Sequence, residues 1–382
     1  MLKPMRTIVA LLVFFLSDSM CSADDLDSMY RTFSQWRRGS VLELLQVDSE
    51  GKKKSVPVKR LETKSLGKVI LPYWLDLPNG HTVVSFSIDR EDRSIFFGDM
   101  DTGSVSVVFN DPGRTAFWPR IAYAEKNHVI YLAFSTAEKI VKPSKHKNLI
   151  PRGSVIKLYR SGDGGKRWDW VADIGAVAPD SGVASDLFQP SITVLSDGSL
   201  GLTVTNHDFN LCQEAGNAID YIEVYRSTDG GKTWPKALRR QVYHGSCVLA
   251  NGRSASNNES CLTQLSDGRL VVVFRSSDKV RPGDRFKGAA LKLSVSKDMG
   301  LSWQTSSNII PGDFPRANRV PVFRKTKSRL IIDYVRTTIA GGDDWSGIVS
   351  DFKASVWAPI GRVDFWEGDR VLIPPVSSPP GN

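Results

Sequence analysis

The feature that most constrains the fold is an internal repeat of paired apolar runs. Each copy has an apolar start, a short alternating run, a turn and a strongly apolar run. The five copies are 71–88, 118–135, 189–206, 259–276 and 318–336. Their turns include Asn79-Gly80, Asp197-Gly198 and Asp267-Gly268, and such pairs are strong β-hairpin signals. The repeat therefore predicts an all-β protein built from one recurring hairpin unit.

A second motif, Ser-x-Asp-x-Gly-x-x-Trp, follows three of these units. Its copies are 161–168, 227–234 and 296–303, and their aspartates lie 66 and 69 residues apart. An Asp carboxylate accepts hydrogen bonds from turn amides, Gly permits positive φ, and Trp covers a hairpin with apolar area. These residue types predict a tight structural turn. Calcium binding is the less favoured alternative, because the spacing is not that of a calcium loop.

The motif is similar to the Asp box, or BNR repeat, and 69–357 resembles the sialidase superfamily. The resemblance implies a six-bladed β-propeller with four antiparallel strands per blade and with the Asp-box hairpins on the outside. We expect 24–376 to form this single domain and 377–382 to be a disordered tail. The sixth blade is expected to join 362–366 and 370–373 to an N-terminal strand at 41–46.

The N-terminus has the pattern of an export signal. Lys3 and Arg6 precede the apolar run 7–16, and small residues follow up to Ala23. Ten apolar residues are about half of what a membrane-crossing helix needs. We therefore expect 1–23 to be a cleaved signal peptide, the mature protein to be secreted or periplasmic, and no membrane span to remain.

Composition limits the partners. Hydrophobic residues make up 41% of the chain and charged residues 24%, which is typical of a folded globular protein. The formal net charge of +9 favours acidic partners such as glycans, although a dispersed positive surface that aids solubility is the alternative. No nucleic-acid motif accompanies the basic stretches, so nucleic acid is set aside. No Cys or His grouping has metal-ligand spacing, and we expect no metal or cofactor.

The cysteines leave two possibilities open. Cys247 and Cys261 flank one loop and are the favoured disulfide pair, since export permits a disulfide. Cys212 is then left over, and an odd cysteine makes buried free thiols the alternative.

The sialidase resemblance also implies a set of catalytic residues. The family clamps a substrate carboxylate with three arginines and uses an Asp acid/base and a Tyr nucleophile that a Glu activates. Arginine matches a carboxylate with two parallel hydrogen bonds, and tyrosine needs a neighbouring carboxylate to take its proton. In the fourth unit Glu259 resembles the activating Glu and Arg275 a clamp arginine. The alternatives are a solvated loop carboxylate for Glu259 and a strand-end ion pair with Asp278 for Arg275.

Other units contain weaker candidates. Asp89, Arg90 and Asp92 follow the first unit, where family members carry an Arg and an Asp; a charged hairpin tip is the alternative. The remaining candidates are Arg120, Arg319 and Arg336 as substrate-binding arginines and Tyr334 as the nucleophile. The chain departs from the family at 71–74, which reads Leu-Pro-Tyr-Trp where the first clamp arginine is expected. Tyr334 also lies one blade earlier than the family nucleophile.

Three functions remain open at this point. An exported sialidase-like glycoside hydrolase of the exo-α-sialidase type, acting on an acidic or decorated glycan, is favoured. A non-catalytic propeller that binds a glycan or a protein is the alternative, supported by the missing clamp arginine. A third hypothesis is an Asp-box protein with a different reaction or an assembly role, because a fold does not determine function.

Overall fold

The computed structural model describes most of the repeat region. The described residues are 31–35, 41–47, 53–63, 66, 69–88, 94–138, 154–175, 186–208, 219–243, 247–248, 253–254, 257–276, 289–304, 307–310, 316–325, 329–338 and 361–366. In these ranges the chain forms strands and two single-turn 3-10 helices, Glu125–Asn127 and Lys236–Leu238. None of these helices is long and apolar enough to cross a membrane. The all-β prediction is confirmed.

Four antiparallel sheets, each with four strands in chain order, form the blades of a propeller arrangement. A three-stranded sheet of β1 (Arg31–Gln35), β2 (Val41–Val47) and β3 (Lys53–Glu62) precedes them. Blade 1 consists of β4 (Val69–Asp76), β5 (Thr82–Ile88), β6 (Ile95–Asp99) and β7 (Ser104–Phe109). Blade 2 consists of β8 (Arg114–Ala124), β9 (Val129–Glu138), β10 (Val155–Ser161) and β11 (Asp169–Ile174). Blade 3 consists of β12 (Asp186–Val194), β13 (Leu200–Asp208), β14 (Ile219–Ser227) and β15 (Arg240–Tyr243).

The C-terminal half of the repeat contains one more complete blade. A short ladder of β16 (Cys247–Val248) and β17 (Arg253–Ser254) comes first. Blade 4 consists of β18 (Asn257–Gln264), β19 (Leu270–Ser276), β20 (Ala290–Ser296) and β21 (Ser307–Ile310). A final three-stranded sheet consists of β22 (Arg316–Lys325), β23 (Arg329–Thr338) and β24 (Gly361–Trp366).

The prediction of six four-stranded blades is not matched. Within the described ranges there are four such blades and two three-stranded sheets. The predicted pairing of 362–366 with 41–46 in a closing blade is also wrong. β24 pairs with β23, and β2 lies between β1 and β3. The segments 370–373 and 377–382 lie outside the described residues.

Apolar side chains pack between neighbouring sheets. Successive strand residues point to opposite faces, so Val83 packs against blade 2 while Val84 packs toward Leu61 of β3. Equivalent clusters join blades 2 and 3, blades 3 and 4, and blade 4 and the final sheet. Both faces of the second strands are therefore buried, and TVVSFSI of β5 and LVVVFRS of β19 are buried at every position.

The first strand of every blade contains a bulge at the same point. The pairing register shifts there, and the first bulged residue has a left-handed backbone. These residues are Leu71, Trp118, Gln189 and Glu259, with φ of 50, 61, 53 and 56°. A fifth register shift lies between Arg319 and Val322 of β22. Bulges redirect side chains and are frequent beside active sites.

The two ends of the propeller differ. At the lower end, tight turns join the first strand to the second, and the segments 100–103, 162–168, 228–239 and 297–306 join the third strand to the fourth. At the upper end, where the bulges lie, the connections between second and third strands span 89–94, 139–154, 209–218, 277–289 and 339–360. Long connections on a rigid scaffold commonly carry function, so the upper end is where a site is expected.

The Ser-x-Asp-x-Gly-x-x-Trp segments are lower-end turns between third and fourth strands. Ser161 Oγ accepts a hydrogen bond from Gly165 N at 2.8 Å, and Asp163 Oδ1 accepts bonds from Lys166 N and Arg167 N at 3.0 Å. Trp168 Nε1 donates to Gly165 O at 3.0 Å. Equivalent Ser and Asp contacts recur at 227–233 and 296–302. The aspartates thus order turn amides, as predicted from the residue types.

Candidate functional site

Side chains from all four blades meet near the bulges. Tyr73, Arg120, Ser191 and Cys261 occupy the same position of their first strands, two residues after the left-handed residue. The Arg120 guanidinium lies 4.8 Å from the centre of the Tyr73 ring, and Ser191 Oγ donates to Cys261 Sγ at 3.5 Å. We call these four residues, together with Glu259 and Arg275, the hub.

Glu259 and Arg275 form an ion pair inside the hub. Arg275 Nη1 lies 3.3 Å from Glu259 Oε1, and both side chains are 1% exposed. Arg275 Nε donates to Asn258 Oδ1 at 2.7 Å. The hairpin explains this geometry, because Asn258 and Arg275 are cross-strand partners and Glu259 begins the bulge. The structure therefore brings these two predicted residues together in a buried site; Asp278 lies outside the described residues.

Arg120 adds a second buried cation. Its side chain enters from blade 2, donates from Nη1 to Pro119 O at 3.0 Å, and lies over the rings of Tyr73 and Trp118. Burial lowers the pKa of the Arg120 guanidinium, and the nearby Tyr73, Cys261 and Glu259 oppose that shift. Because arginine keeps its proton in proteins, the described hub has two guanidinium cations and one carboxylate.

Gln189 links blades 2, 3 and 4 beside the hub and was not predicted from the sequence. Its backbone N–H donates to Ser135 Oγ of blade 2 at 3.0 Å. Its side-chain Oε1 accepts hydrogen bonds from Thr205 Oγ1 and from the backbone N–H of Glu259, each at 3.0 Å. One sequence signal could have identified it. The residue before the proline is polar in Gln189-Pro190, whereas it is apolar in Leu71-Pro72 and Trp118-Pro119 of the two preceding units.

The remaining predicted residues are described by backbone position alone or lie outside the described ranges. Asp89, Arg90 and Asp92 lie outside the described residues, so their roles stay predictions. Arg319 of β22 pairs with Val335 and precedes its bulge, which is the register position of Asn258 in blade 4. Arg336 pairs with Asn318.

Tyr334 lies opposite the bulge of β22, next to its partner Gly361 in β24. The four complete blades have fully buried apolar residues at this register position: Phe86, Phe134, Val204 and Phe274. The role of Tyr334 as a nucleophile stays a prediction.

A tyrosine–glutamate pair occurs elsewhere, between blades 2 and 3. Glu223 accepts hydrogen bonds from Tyr225 OH at 2.9 Å, Asn206 Nδ2 at 3.0 Å, and Arg239 Nε and Nη2 at 2.9 and 2.7 Å. Burial, followed by the Glu223 charge, raises the pKa of Tyr225 far above its ordinary value. Tyr225 also packs in the apolar core between the blades. A buried, protonated phenol is a poor nucleophile, so this cluster is structural.

One group of potential metal ligands exists among the described residues. His81, Asp99 and Asp101 have ligand atoms within 4.8 Å of one another. Lys59 Nζ lies 2.8 and 2.7 Å from the two carboxylate oxygens of Asp101. A lysine cation therefore already pairs with the Asp101 carboxylate, and we assign no metal to this group.

Cys261 is a buried free thiol. The predicted disulfide between Cys247 and Cys261 is therefore wrong, and the alternative of a buried thiol applies to Cys261. Its position in the first strand of blade 4 places its sulfur beside Ser191 of blade 3.

These features define an all-β protein in a propeller arrangement, in which the described residues bring two buried arginines and one buried glutamate together. No family model and no curated protein sequence matches the chain. A protein of unknown function from Dyadobacter fermentans is 16% identical, with a TM-score of 0.52 over 77% of this chain and 82% of that one. At this identity the likeness concerns the fold.

Two enzymes with lower TM-scores are also among the similar structures. An α-L-arabinofuranosidase from Lactobacillus brevis is 12% identical, with a TM-score of 0.49 over 73% of this chain and 88% of that one. The sialidase of Trypanosoma rangeli, in complex with 2,3-difluorosialic acid, is 12% identical, with a TM-score of 0.48 over 80% of this chain and 48% of that one. The chain thus spans about half of that sialidase, and neither likeness assigns an activity.

Proposed function

We propose that the protein is an exported, sialidase-like glycoside hydrolase that acts on a glycan with a carboxylated sugar. The observation that carries this proposal is the composition of the hub, where Arg275 and Arg120 lie with the single carboxylate of Glu259. A carboxylate ligand would complement the surplus positive charge. In keeping with this role, 1–23 is proposed to be a signal peptide and the mature protein to be secreted or periplasmic.

The burial of these charges is itself an argument for a binding role. Removing an ion from water costs several kcal/mol even after relaxation, and a buried pair often stabilises a protein no better than apolar residues would. The hub nevertheless contains three charged side chains that are at most 5% exposed. Arginine forks recognise planar carboxylates with paired hydrogen bonds. Recognition of an anionic sugar explains a net positive centre better than packing does.

The three charged hub residues and two tyrosines have proposed tasks. Glu259 takes the proton of a tyrosine nucleophile, and Arg275 and Arg120 hold the substrate carboxylate. Tyr334 is the nucleophile predicted from the sequence, whereas Tyr73 is the tyrosine that the structure places in the hub, against Arg120. The variants Tyr73→Phe and Tyr334→Phe distinguish the two, because loss of the nucleophile abolishes turnover while the other variant retains it.

The test is hydrolysis of a fluorogenic sialoside by the purified protein. Glu259→Gln should lower kcat/KM by roughly 100-fold or more, as expected for loss of a group that transfers a proton. Arg275→Met should raise KM by about tenfold or more, because it removes a charge-assisted contact. Glu125→Gln and Arg160→Met are matched controls on exposed residues and should behave as wild type. Absence of turnover on a broad panel of acidic and neutral glycosides would refute the enzymatic proposal.

A non-catalytic glycan-binding propeller is the second candidate. The observation that favours it is that Glu259 is already engaged by Arg275 at 3.3 Å, in a pair that is 1% exposed. The segment 71–74 also lacks the clamp arginine that the family resemblance implies. Saturable binding on a glycan array without release of sugar would support this candidate, and Arg120→Met should then weaken binding of carboxylated glycans but not of neutral ones.

A further inference from the structure

The backbone of Glu259 is held in an unfavourable conformation. Its φ of 56° lies in the left-handed region, which long side chains rarely adopt. Such conformations persist where the surrounding structure fixes them, and they cluster at functional sites. What holds Glu259 in this conformation therefore also determines where its carboxylate points.

A relay of hydrogen bonds across three blades holds Glu259. Ser135 Oγ of blade 2 accepts a hydrogen bond from the backbone N–H of Gln189, at 3.0 Å. Gln189 Oε1 in turn accepts a hydrogen bond from the backbone N–H of Glu259, also at 3.0 Å. Thr205 Oγ1 donates to the same Gln189 oxygen at 3.0 Å and thereby fixes the amide. All four residues are buried, so water does not compete for these bonds.

We propose that Gln189 is a positioning residue for Glu259, and this inference rests on the proposed function of the hub. Gln189 acts through the main chain: its Oε1 fixes the Glu259 N–H, which fixes the direction of the Glu259 side chain toward Arg275. An error of about 1 Å in a catalytic group is sufficient to cost roughly 100-fold in rate. Gln189 should thus influence the rate without touching the substrate.

The residue type suits this task. An amide oxygen has two lone pairs, which match the two donors from Thr205 and Glu259. The side chain is also neutral, so it leaves the surplus positive charge of the hub intact. The equivalent residues of blades 1 and 2 are Leu71 and Trp118, whose side chains have no oxygen acceptor. Of the residues at the bulge positions of blades 1 to 3, Gln189 in blade 3 is therefore the one whose side chain can accept the Glu259 N–H bond.

The principal variant is Gln189→Met, which removes the acceptor at nearly constant volume. On a fluorogenic sialoside it should lower kcat by about 10- to 100-fold and change KM by less than about threefold. Thr205→Val, which frees the amide, should lower kcat less, and Thr205→Ser, which keeps the hydroxyl, should restore it. The matched control is Gln264→Met, since Gln264 Oε1 accepts the Ser196 backbone N–H of the neighbouring blade at the lower end. It loses a similar bond, together with the Nε2 contacts to Gly268 O and Met299 Sδ, and should retain the wild-type kcat.

A second readout is independent of activity. Hydrogen exchange at the Glu259 amide should accelerate at least tenfold in Gln189→Met relative to amides of β5, and a crystal structure of the variant should show the Arg275–Glu259 contact opened beyond 4 Å. If Gln189→Met changes neither the exchange rate of the Glu259 amide nor the Arg275–Glu259 distance, the inference is overturned. Faster exchange of the Glu259 amide without any change in kcat would also overturn it, because Gln189 would then have only a structural role. If the wild type neither cleaves nor binds any glycan, the proposed function fails, and the exchange and distance measurements alone decide whether Gln189 positions Glu259.

Discussion

Substitution of Gly165 by alanine tests how neighbouring blades are joined. Gly165 has a φ of 91°, and a Cβ atom built there would lie 2.0 Å from Phe97 Cε1 of blade 1. Carbon atoms in contact normally lie about 3.5–4.0 Å apart, so the ring must move by more than 1 Å, on the order of a bond length. Phe97 is buried and lies edge-on to Trp168, with ring centres 5.1 Å apart. The ring therefore has little room to move.

Two costs add up at Gly165. A left-handed backbone costs alanine roughly 1–2 kcal/mol, and overpacking of a filled core costs typically about 1–3 kcal/mol. Gly165→Ala should therefore lower the free energy of unfolding by about 2–5 kcal/mol. Gly164 is the matched control, because it has a φ of 76° but no heavy atom within 4 Å of the added Cβ. Gly164→Ala should cost only the backbone share, roughly 1–2 kcal/mol.

The assay is urea denaturation of both variants, followed by circular dichroism and tryptophan fluorescence. Gly165→Ala should be the less stable by about 1–3 kcal/mol. In the double variant Phe97→Leu with Gly165→Ala the costs should be less than additive, because the smaller side chain relieves the contact. Equal losses at the two glycines, or full additivity, would refute the idea that this turn is wedged against blade 1.

Three further predictions concern charge and burial. A hydrogen bond from the Thr233 side chain is the main cause that lowers the pKa of Asp229 to about 2. A lowered carboxyl pKa adds stability at pH values above the ordinary pKa near 4, and this stability is lost as the pH falls toward 2. Asp229→Asn should therefore flatten the fall in Tm between these pH values, and an unchanged dependence of Tm on pH would contradict this. Arg239→Met leaves Glu223 buried without its cation and should cost about 3–5 kcal/mol in urea denaturation, whereas wild-type stability would show the pair to be dispensable. Cys261 is 3% exposed and should react with iodoacetamide, as read from its peptide by mass spectrometry, only after unfolding; rapid labelling of the native protein would contradict its burial.

The local part of the fold could be predicted from the sequence. All five predicted hairpins are present, as β4–β5, β8–β9, β12–β13, β18–β19 and β22–β23. Their turns depend on adjacent residues such as Asp197-Gly198, and the strands on unbroken apolar runs. The predicted closing blade required a long-range pairing of 362–366 with 41–46, about which a hairpin pattern carries no information; β24 instead pairs with the strand that precedes it, β23.

Proximity between candidate residues was predictable only where one hairpin supplies them both. Arg120 was among the predicted substrate-binding arginines, but its position against Tyr73 of blade 1 was not predicted. Glu259 and Arg275 belong to two paired strands, so their proximity follows from the hairpin itself. Arg120 and Gln189 reach the same centre from other blades, and the bulges that bring them there occur at bulky residues such as Trp118, where positive φ is not expected. The Glu223 cluster was missed for a similar reason, since its charge lies within the apolar pattern of 221–225 and its arginine partner follows in the next turn.

The division between the two ends explains how the molecule accommodates a charged centre. At the lower end the Ser-x-Asp-x-Gly-x-x-Trp turns pack onto the preceding blades, with Gly165 against Phe97 and Gly231 against Leu158. Together with the apolar clusters between sheets, these contacts join neighbouring blades at the lower end. The upper end buries Glu259, Arg275 and Arg120, and the burial of these charges is costly. Hub substitutions that leave the buried Glu259–Arg275 pair intact, such as Tyr73→Phe, should for this reason alter binding and turnover more than stability, whereas substitutions in the lower turns should do the reverse.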